Sequence, residues 1–556
     1  MCDICEALGR NIHFEQEGLQ LDAPLEFSLD PGAGGYWKRT ATAPAKEIFS
    51  LDKVQQQIDT GQSFEVGSDG VITYGFFDHK HALGVSNKPY NVEDGGGEGP
   101  GYYPFTEAQK AATRSSMELW DDLIAPGIVE ADQRPGASAW GRNDVDIWLA
   151  NTATGPANAW TYLPDDDKPQ FQRVSGDVWS AGPEVNWTTE WLTLGSYGSH
   201  TLTHEIGHSL GLNHPGAYNG SAATTYDAMA EYAQDSHQYT IMSYWSGQMT
   251  GAFTTNWSLF RANYVQTPML HDIMTIQAKY GADPTTRSGD TTYGFNSNAG
   301  RDVFDFSINR DPYLSIYDAG GNDTLDLSGY NASQFVNLQP GSFSSVGQAI
   351  PTLEEINANR AAHYEATGEN LGLLTQAQLA NNVAFFLNQS FQRIAQFTGV
   401  GGIFATNHDN LSIAYGTIIE NAIGGSQRDL LWGNDVANRL EGRGGNDVLN
   451  GFKGADILIG GAGIDFFQFS TLNDLGNAIV DFTPGDKIDV SKFDANPGAA
   501  GDQAFAFIGQ AAFSNVAGQL RYSNGLLEGD VDGNGVADFS VILANAAPLN
   551  SGDFLL

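Results

Sequence analysis

From residue 424 to residue 468 the chain divides into five consecutive nines, GGSQRDLLW, GNDVANRLE, GRGGNDVLN, GFKGADILI and GGAGIDFFQ. Glycine opens every unit. The sixth position holds Asp429, Asn438, Asp447, Asp456 and Asp465, and the eighth holds Leu431, Leu440, Leu449, Leu458 and Phe467. A flexible Gly/Asp linker has no reason to keep an apolar residue in one phase. Turn, acid and apolar residue recurring every nine positions is the pattern of a parallel β-helix that binds calcium between its turns. Each short strand buries its eighth residue. The carboxylate and carbonyl oxygens of successive turns face one another and supply the roughly six to eight oxygens that calcium takes. This assigns calcium contacts to Gly442, Gly444, Asp447, Gly451, Asp456, Gly460, Gly461, Gly463 and Asp465. The first two units are poorer, with Gln427 and Val436 where the later units carry glycine.

No disulfide can staple the body of this fold, because the only cysteines, Cys2 and Cys5, lie at the extreme N-terminus. No βαβ pattern surrounds that Cys-x-x-Cys pair and no second pair completes a four-thiolate site. The chain has 66 acidic residues against 27 basic ones, a formal charge of -39. That balance excludes nucleic acid and anionic membrane surfaces as partners and suits bound cations. No apolar run reaches the roughly 18 residues of a membrane span. Met1 to Ala7 lacks the basic charge of a secretion leader and no apolar stretch of leader length follows, so no cleaved N-terminal signal is expected. Residues 1–45 read as a propeptide or N-terminal tail, 46–275 as a mixed α/β domain, and 276–556 as a strand-rich domain carrying a helical insert at 353–398. Helical periodicity covers Glu107 to Ile124, Ser199 to Leu212 and His271 to Tyr280, whereas Asp144 to Ala150 alternates like a strand.

The second helical stretch carries His204-Glu205-Ile206-Gly207-His208. Histidines four apart project from one helix face and can meet one ion. Gly211 follows three residues later, where a residue without Cβ ends the helix in a left-handed turn, and His214 then arrives as the third ligand. Three neutral imidazoles leave the fourth position of one zinc ion to water, the open arrangement of a catalytic site. Glu205 can accept that water's proton. The string HEIGHSLGLNH meets the HExxHxxGxxH pattern of metzincin proteases, which also carry a downstream Met-turn; here Thr240-Ile-Met-Ser-Tyr-Trp245 is the candidate, with Met242 beneath the zinc.

The strings SHTLTHEIGHSLGLNHPG, TIMSYW, YGFNSN, DAGGNDTLDLSGY and IENAIGGS together resemble the serralysin family (peptidase family M10B), the bacterial metzincins that carry RTX repeats. The resemblance covers roughly residues 60 to 556. It implies an α/β (α+β) metzincin zinc-protease domain followed by an all-β parallel β-roll (RTX) domain with a β-sandwich-like C-terminal part. It further implies a monomeric, secreted zymogen that cuts internal bonds of protein and peptide substrates, with a proteinaceous inhibitor among its partners. Tyr244 is then the residue that ligates zinc at rest and hydrogen-bonds the oxyanion during turnover. Several structural calcium ions are expected, held by the backbone oxygens of Arg287, Gly289 and Thr291 and by Asp318, Gly320, Gly321 and Asp323, with Glu420, Gly425 and Asp429 forming the next site. Departures are Ile418 in place of the family's threonine, Gln427 in place of a turn glycine, and the insert at 353–398.

The chain ends Asp553-Phe-Leu-Leu556, similar to the uncleaved C-terminal signal of type I secretion across a Gram-negative envelope. Asp530 to Asp538 places oxygens as in an EF-hand loop, but position twelve is Val541 and a strand-like run follows, so a β-turn is the preferred reading. A calcium-dependent adhesion protein with a relic protease fold would have lost part of its catalytic set; His204, Glu205, His208, His214 and Tyr244 are all present.

Overall fold

The computed structural model describes residues 46–76, 102–131, 145–152, 159–164, 175–183, 186–218, 225–470 and 475–556, with two short strands at Glu26–Ser28 and Tyr36–Lys38. Cys2 and Cys5 lie outside the described residues. Two units emerge: residues 1–286, 313–319 and 357–373 form the first, and 287–312, 320–356 and 374–556 the second.

In the first unit, helix α1 (Leu51–Ile58) precedes strand β1 (Val71–Phe76), helix α2 (Glu107–Asp121) and strands β2 (Gly127–Glu130), β3 (Ile147–Thr152), β4 (Ala159–Thr161) and β5 (Val178–Ala181). The sheet order is β2-β1-β3-β5-β4. The first four strands run parallel, and β4 lies antiparallel on β5 at one end. All of β3 is buried, polar Asn151 and Thr152 included, as parallel strands covered on both faces require. The alternation expected there is thus replaced by continuous burial. The Asn151 amide is satisfied by a reciprocal pair of 2.9 Å hydrogen bonds with Gln109 of α2. Helix α2 starts at a capping box, in which Thr106 and Gln109 each accept from the other's backbone amide. Its inner face meets helix α3 (Tyr197–Ser209): the Ser116 and Thr203 hydroxyls lie 2.9 Å apart, and Trp120 Nε1 donates to the Thr203 carbonyl at 3.0 Å. Helix α4 (Leu270–Tyr280) closes the sequence of main elements.

The second unit shows why nine residues repeat. Three-residue strands at Asn421–Ile423, Leu430–Trp432, Arg439–Glu441, Val448–Asn450, Ile457–Ile459 and Phe466–Gln468 alternate between two parallel sheets. Asn421 pairs with Arg439 and Arg439 with Ile457 on one sheet; Leu430, Val448 and Phe466 align on the other. Two nines therefore make one coil. The central residues Leu431, Leu440, Leu449, Leu458 and Phe467 are fully buried between the sheets, each worth roughly 1.5–3 kcal/mol of apolar burial. Toward the C-terminus, Gln519–Ser523, Leu526–Asp530 and Phe539–Leu543 pair antiparallel and extend one sheet. Phe554–Leu555 extends the other sheet, in parallel with Lys487–Asp489. The Asp530–Asp538 segment is the hairpin connection. In it Asp530 accepts from the amides of Gly533 and Gly535, and Asp538 from Val531.

The insert is two helices, α5 (Leu353–Thr367) and α6 (Gln376–Thr398). Within the first unit Arg360 donates to the carbonyls of Leu259 and Phe260 at 2.7 Å, and Glu369 Oε2 sits between Arg261 and His363 at 2.8 and 2.6 Å. Within the second, Ile394 and Phe397 of α6 pack on Phe335, Leu430 and Val448.

Candidate active site

Helix α3 carries His204, Glu205 and His208, with both imidazoles on one side and their ring centres 4.8 Å apart. The helix ends where the Gly211 amide bonds the His208 carbonyl at 2.9 Å with φ at +94°. A side chain at Gly211 would be strained by that φ and would run into the Gln62 carbonyl. Through this turn His214 returns to the helix. Its Nε2 lies 3.2 Å from Nε2 of His204 and 3.0 Å from Nε2 of His208. His204 Nδ1 donates to the Ile241 carbonyl and His208 Nδ1 to the Leu212 carbonyl, both at 2.8 Å, and His214 donates to the backbone at Tyr218. A carbonyl only accepts, so each Nδ1 holds the ring's proton and each Nε2 turns a lone pair toward the centre. Burial lowers the pKa of His208 to about 4, and those of His204 and His214 fall well below the ordinary range for the same reason. Three neutral nitrogen donors converging from one side, with no proton between them, fit a tetrahedral zinc ion that keeps one position open.

Glu205 is 7% exposed. Burial raises its pKa to about 7, while a 2.7 Å hydrogen bond from the Thr161 hydroxyl to Oε2 acts the other way. Met242 is fully buried against the underside of α3, and Gly207 is what admits it: a Cβ there would meet Met242 Sδ at 2.6 Å and Trp120 at 3.0 Å. The half-buried Tyr244 ring lies 4.4 Å from the His214 ring and 4.9 Å from that of Tyr218.

The supporting residues carry no motif. Asp272 accepts from the Thr240 hydroxyl and from the amides of Ile241 and Met269 at 2.5, 2.7 and 2.8 Å, tying the start of α4 to the segment whose carbonyl orients His204. Asp235 Oδ1 accepts from the Tyr218 and Ser243 hydroxyls, both at 2.7 Å. His237 bonds the Ser243 carbonyl through Nε2 and the Trp245 carbonyl through its amide, so it grips the backbone on both sides of Tyr244. Asp272 had a signal, an acid three residues into a helix. Thr161 had none, because it lies 44 residues from Glu205 on another element.

In the second unit the expected calcium residues form two stacks of turns. On one edge Asp429, Asp447 and Asp465 each accept, through Oδ1, the amide of the equivalent residue one coil earlier (Gln334, Asp429 and Asp447), at 2.7 to 2.9 Å. Asp486 continues this ladder, 21 residues after Asp465. Asp447 Oδ2 is buried without a hydrogen bond, and burial lifts its carboxyl pKa to about 8 and that of Asp465 to about 6. Desolvated carboxylates with oxygens left over beside glycine carbonyls are a hard-cation donor set, which fits calcium. Gly461 and Gly463 press against the carbonyls of Arg443 and Gly445, leaving no room for a side chain, and Gly442, Gly451 and Gly460 sit against the carboxylates of Asp447, Asp456 and Asp465. Gly444 packs more loosely, over Ser426.

On the other edge the Thr291 amide donates to Asp323, the Asp323 amide to Glu420, and the Asn438 amide to Asp456. The Thr291 hydroxyl reaches the Gly289 and Arg287 carbonyls, and the Gly289 carbonyl lies against Gly321. Gly320 has positive φ, and Asp318 is buried in the segment belonging to the first unit. The trio Glu420, Gly425 and Asp429 is not brought together: Glu420 precedes the strand Asn421–Ile423 and bonds Asp323, whereas Gly425 follows it and donates to Asp429 at 2.6 Å. Residues on either side of a strand belong to opposite edges of the roll.

Comparison with known proteins agrees with this geometry. A family model described as Peptidase M10 serralysin C terminal matches residues 282–353 and 381–556, and one described as Metallo-peptidase family M12B Reprolysin-like matches 148–270. Metallopeptidase AprA of Pseudomonas marginalis is 35% identical over 81% of this chain and 80% of its own. Serralysin of Photorhabdus luminescens is 35% identical over 86% and 81%, and serralysin G of Dickeya chrysanthemi 32% over 90% of each. With relatives at this identity spanning most of both chains, and with the zinc-fitting histidine cluster and parallel roll in place, the chain is a zinc metalloendopeptidase and belongs to the serralysin family.

Proposed function

We propose that this protein acts as a secreted endopeptidase in which His204, His208 and His214 hold the zinc through Nε2, and Glu205 is the general base. The observation that carries the reading is the convergence of three neutral Nε2 atoms, two of them on the helix that also carries the buried Glu205. Zinc, when bound, supplies a Lewis acid that polarises a peptide carbonyl and acidifies water. Glu205 takes the proton from the attacking water and returns it to the leaving amine. The Tyr244 hydroxyl donates a hydrogen bond to the developing oxyanion. Strand β4 ends the sheet among the described strands, and its open edge next to Glu205 accepts an extended peptide by strand addition.

In the second unit calcium takes the carboxylate and carbonyl oxygens of the stacked turns, and the acidic coils fold once it is available outside the cell. Export by type I secretion fits this order of events.

Casein hydrolysis by calcium-refolded protein tests the assignment. Wild type should cut, whereas Glu205→Ala and wild type treated with phenanthroline should not. Folded, zinc-loaded wild type that leaves casein and a mixed peptide library intact refutes it. Far-UV spectra with calcium or EGTA test the second part: a roll that forms equally in EGTA overturns calcium-dependent folding.

A further inference from the structure

A general base has to present one oxygen in a fixed direction, yet a glutamate side chain on a helix has three rotatable bonds. In this protein the carboxylate is referenced to a second element. The Thr161 hydroxyl, on edge strand β4, lies 2.7 Å from Glu205 Oε2 and 3.1 Å from the Glu205 backbone carbonyl. A single hydroxyl proton is directed at one acceptor, and the shorter contact is the one to the carboxylate, where charge strengthens the bond. No described residue donates to Oε1. The donor is itself held: threonine is β-branched and stiff about χ1, and β4 is registered on β5 through Thr161 opposite Val178. Among the described strands the same three-residue strand is the edge of the sheet, so whatever pairs along it lies beside the residue that aims the base.

We propose that Thr161 is a positioning residue for Glu205, its hydroxyl holding Oε2 so that Oε1 is the oxygen turned to the reacting water. This inference rests on the reading of Glu205 as general base. A hydroxyl that merely satisfied a buried polar atom would contribute to stability and leave turnover per folded, zinc-loaded molecule unchanged. A positioning hydroxyl acts on kcat, because orientation is used in the transition state and not in binding the peptide.

The experiment compares wild type, Thr161→Val, Thr161→Ser, Thr161→Ala and Glu205→Ala as full-length, calcium-loaded proteins, with zinc content and melting temperature measured on each. Thr161→Val keeps the shape and removes the hydroxyl; its kcat should fall about tenfold with KM within about twofold of wild type, the size expected for losing a charge-assisted orienting bond. Thr161→Ser should recover kcat to within about threefold of wild type, since the donor is restored. Thr161→Ala carries the same prediction as Thr161→Val should the latter fold poorly. A kcat that is unchanged in the valine and alanine variants, while Glu205→Ala is inactive, overturns the inference and leaves the base assignment standing. Equal losses in the serine and valine variants also overturn it, because the hydroxyl is then not the cause. Wild-type activity in Glu205→Ala removes the general-base reading itself, whatever Thr161 does.

Discussion

Two regions of this molecule, the histidine cluster on α3 and the stacked turns of the roll, support their buried polar groups in opposite ways. Around α3 every supporting contact is different: His204 leans on Ile241, His208 on Leu212, His214 on Tyr218, and Asp272 holds the segment carrying Ile241. In the roll one contact recurs, a sixth-position carboxylate taking the amide of its counterpart one coil earlier. A repeated contact can be copied along a chain without limit but offers each cation much the same surroundings. A non-repeating set brings three neutral nitrogens, two from α3 and one returned to it by the Gly211 turn, together with a buried carboxyl on that helix. The largest test of that contrast is His208→Ala. Losing one of three nitrogens should cut kcat/KM by a factor of about 10³ or more and lower zinc content, while the calcium-dependent spectrum of the roll stays as in wild type. A roll spectrum that changed with it would mean the two regions are not independent.

The next effect is confined to the roll. Leu449 is fully buried between the two sheets, in register with Leu431 and Phe467. Leu449→Ala should cost about 2–5 kcal/mol in calorimetry with calcium, a transfer plus cavity loss, and leave zinc content unchanged. A loss under about 1 kcal/mol would show that neighbouring coils collapse around the gap, which a close-packed stack of short strands resists.

What the sequence made legible follows this division. The roll was readable because nine-residue phase encodes its strands, its turns and its ladder; the reading failed only where phase breaks. Asn477 and Asp486 serve Asp456 and Asp465 across 21 residues instead of 18, so they sit outside the frame although they make the same bonds. The family resemblance grouped Glu420 with Gly425 and Asp429, whereas a three-residue strand sends them to opposite edges. In the protease unit the ligands were readable because helical spacing and one glycine bring them together locally. Thr161 and Asp235 were not, since each reaches its partner through tertiary packing that leaves no spacing rule; Asp272 offered only its place three residues into a helix. The segment 144–150 was read as alternating, yet the parallel strand at 147–152, buried on both faces, has no exposed side to mark.

Within the roll, Asn438 breaks the acid pattern, and its contacts say why it is tolerated. Its amide nitrogen donates to the Glu420 carbonyl at 3.0 Å and to Asn434 Oδ1 at 2.9 Å, filling with hydrogen bonds a place that an aspartate could fill only with a cation. Asn438→Asp exchanges that donor for a second negative oxygen facing two acceptors. In EGTA the variant should be less stable than wild type by about 1–3 kcal/mol, the cost of losing two hydrogen bonds and setting a buried carboxylate oxygen against two acceptors that keep only their bonds from Arg439 and Val436. Calcium should recover most of the difference if the turn can admit the ion. Equal stability of the two proteins in EGTA would show that the amide bonds are not what holds this coil.

The smallest effect is a slope against pH in the protease unit. Asp235 is buried, its Oδ1 takes two hydroxyls, and its Oδ2 has no hydrogen bond. Burial raises its pKa to about 7 from an ordinary 3.8, against the pull of the Ser243 and Tyr218 hydroxyls. The groups facing it are those hydroxyls, the Trp245 indole and the Tyr232 hydroxyl, with the more distant Lys46 favouring the charged form. With the folded value above the unfolded one, the native state holds a proton that the unfolded state has released. The stability from this group is therefore complete below pH about 3.8 and is lost as pH rises through about 7. Asp235→Asn cannot titrate, so the free energy of wild type minus that of the variant should fall between pH 5 and 7 by at most about 1.4 kcal/mol per pH unit and level off above. A flat difference across that range would mean that Asp235 is ionised in the native protein throughout. The Tyr218 and Ser243 hydroxyls would then be holding a charge beside Tyr244.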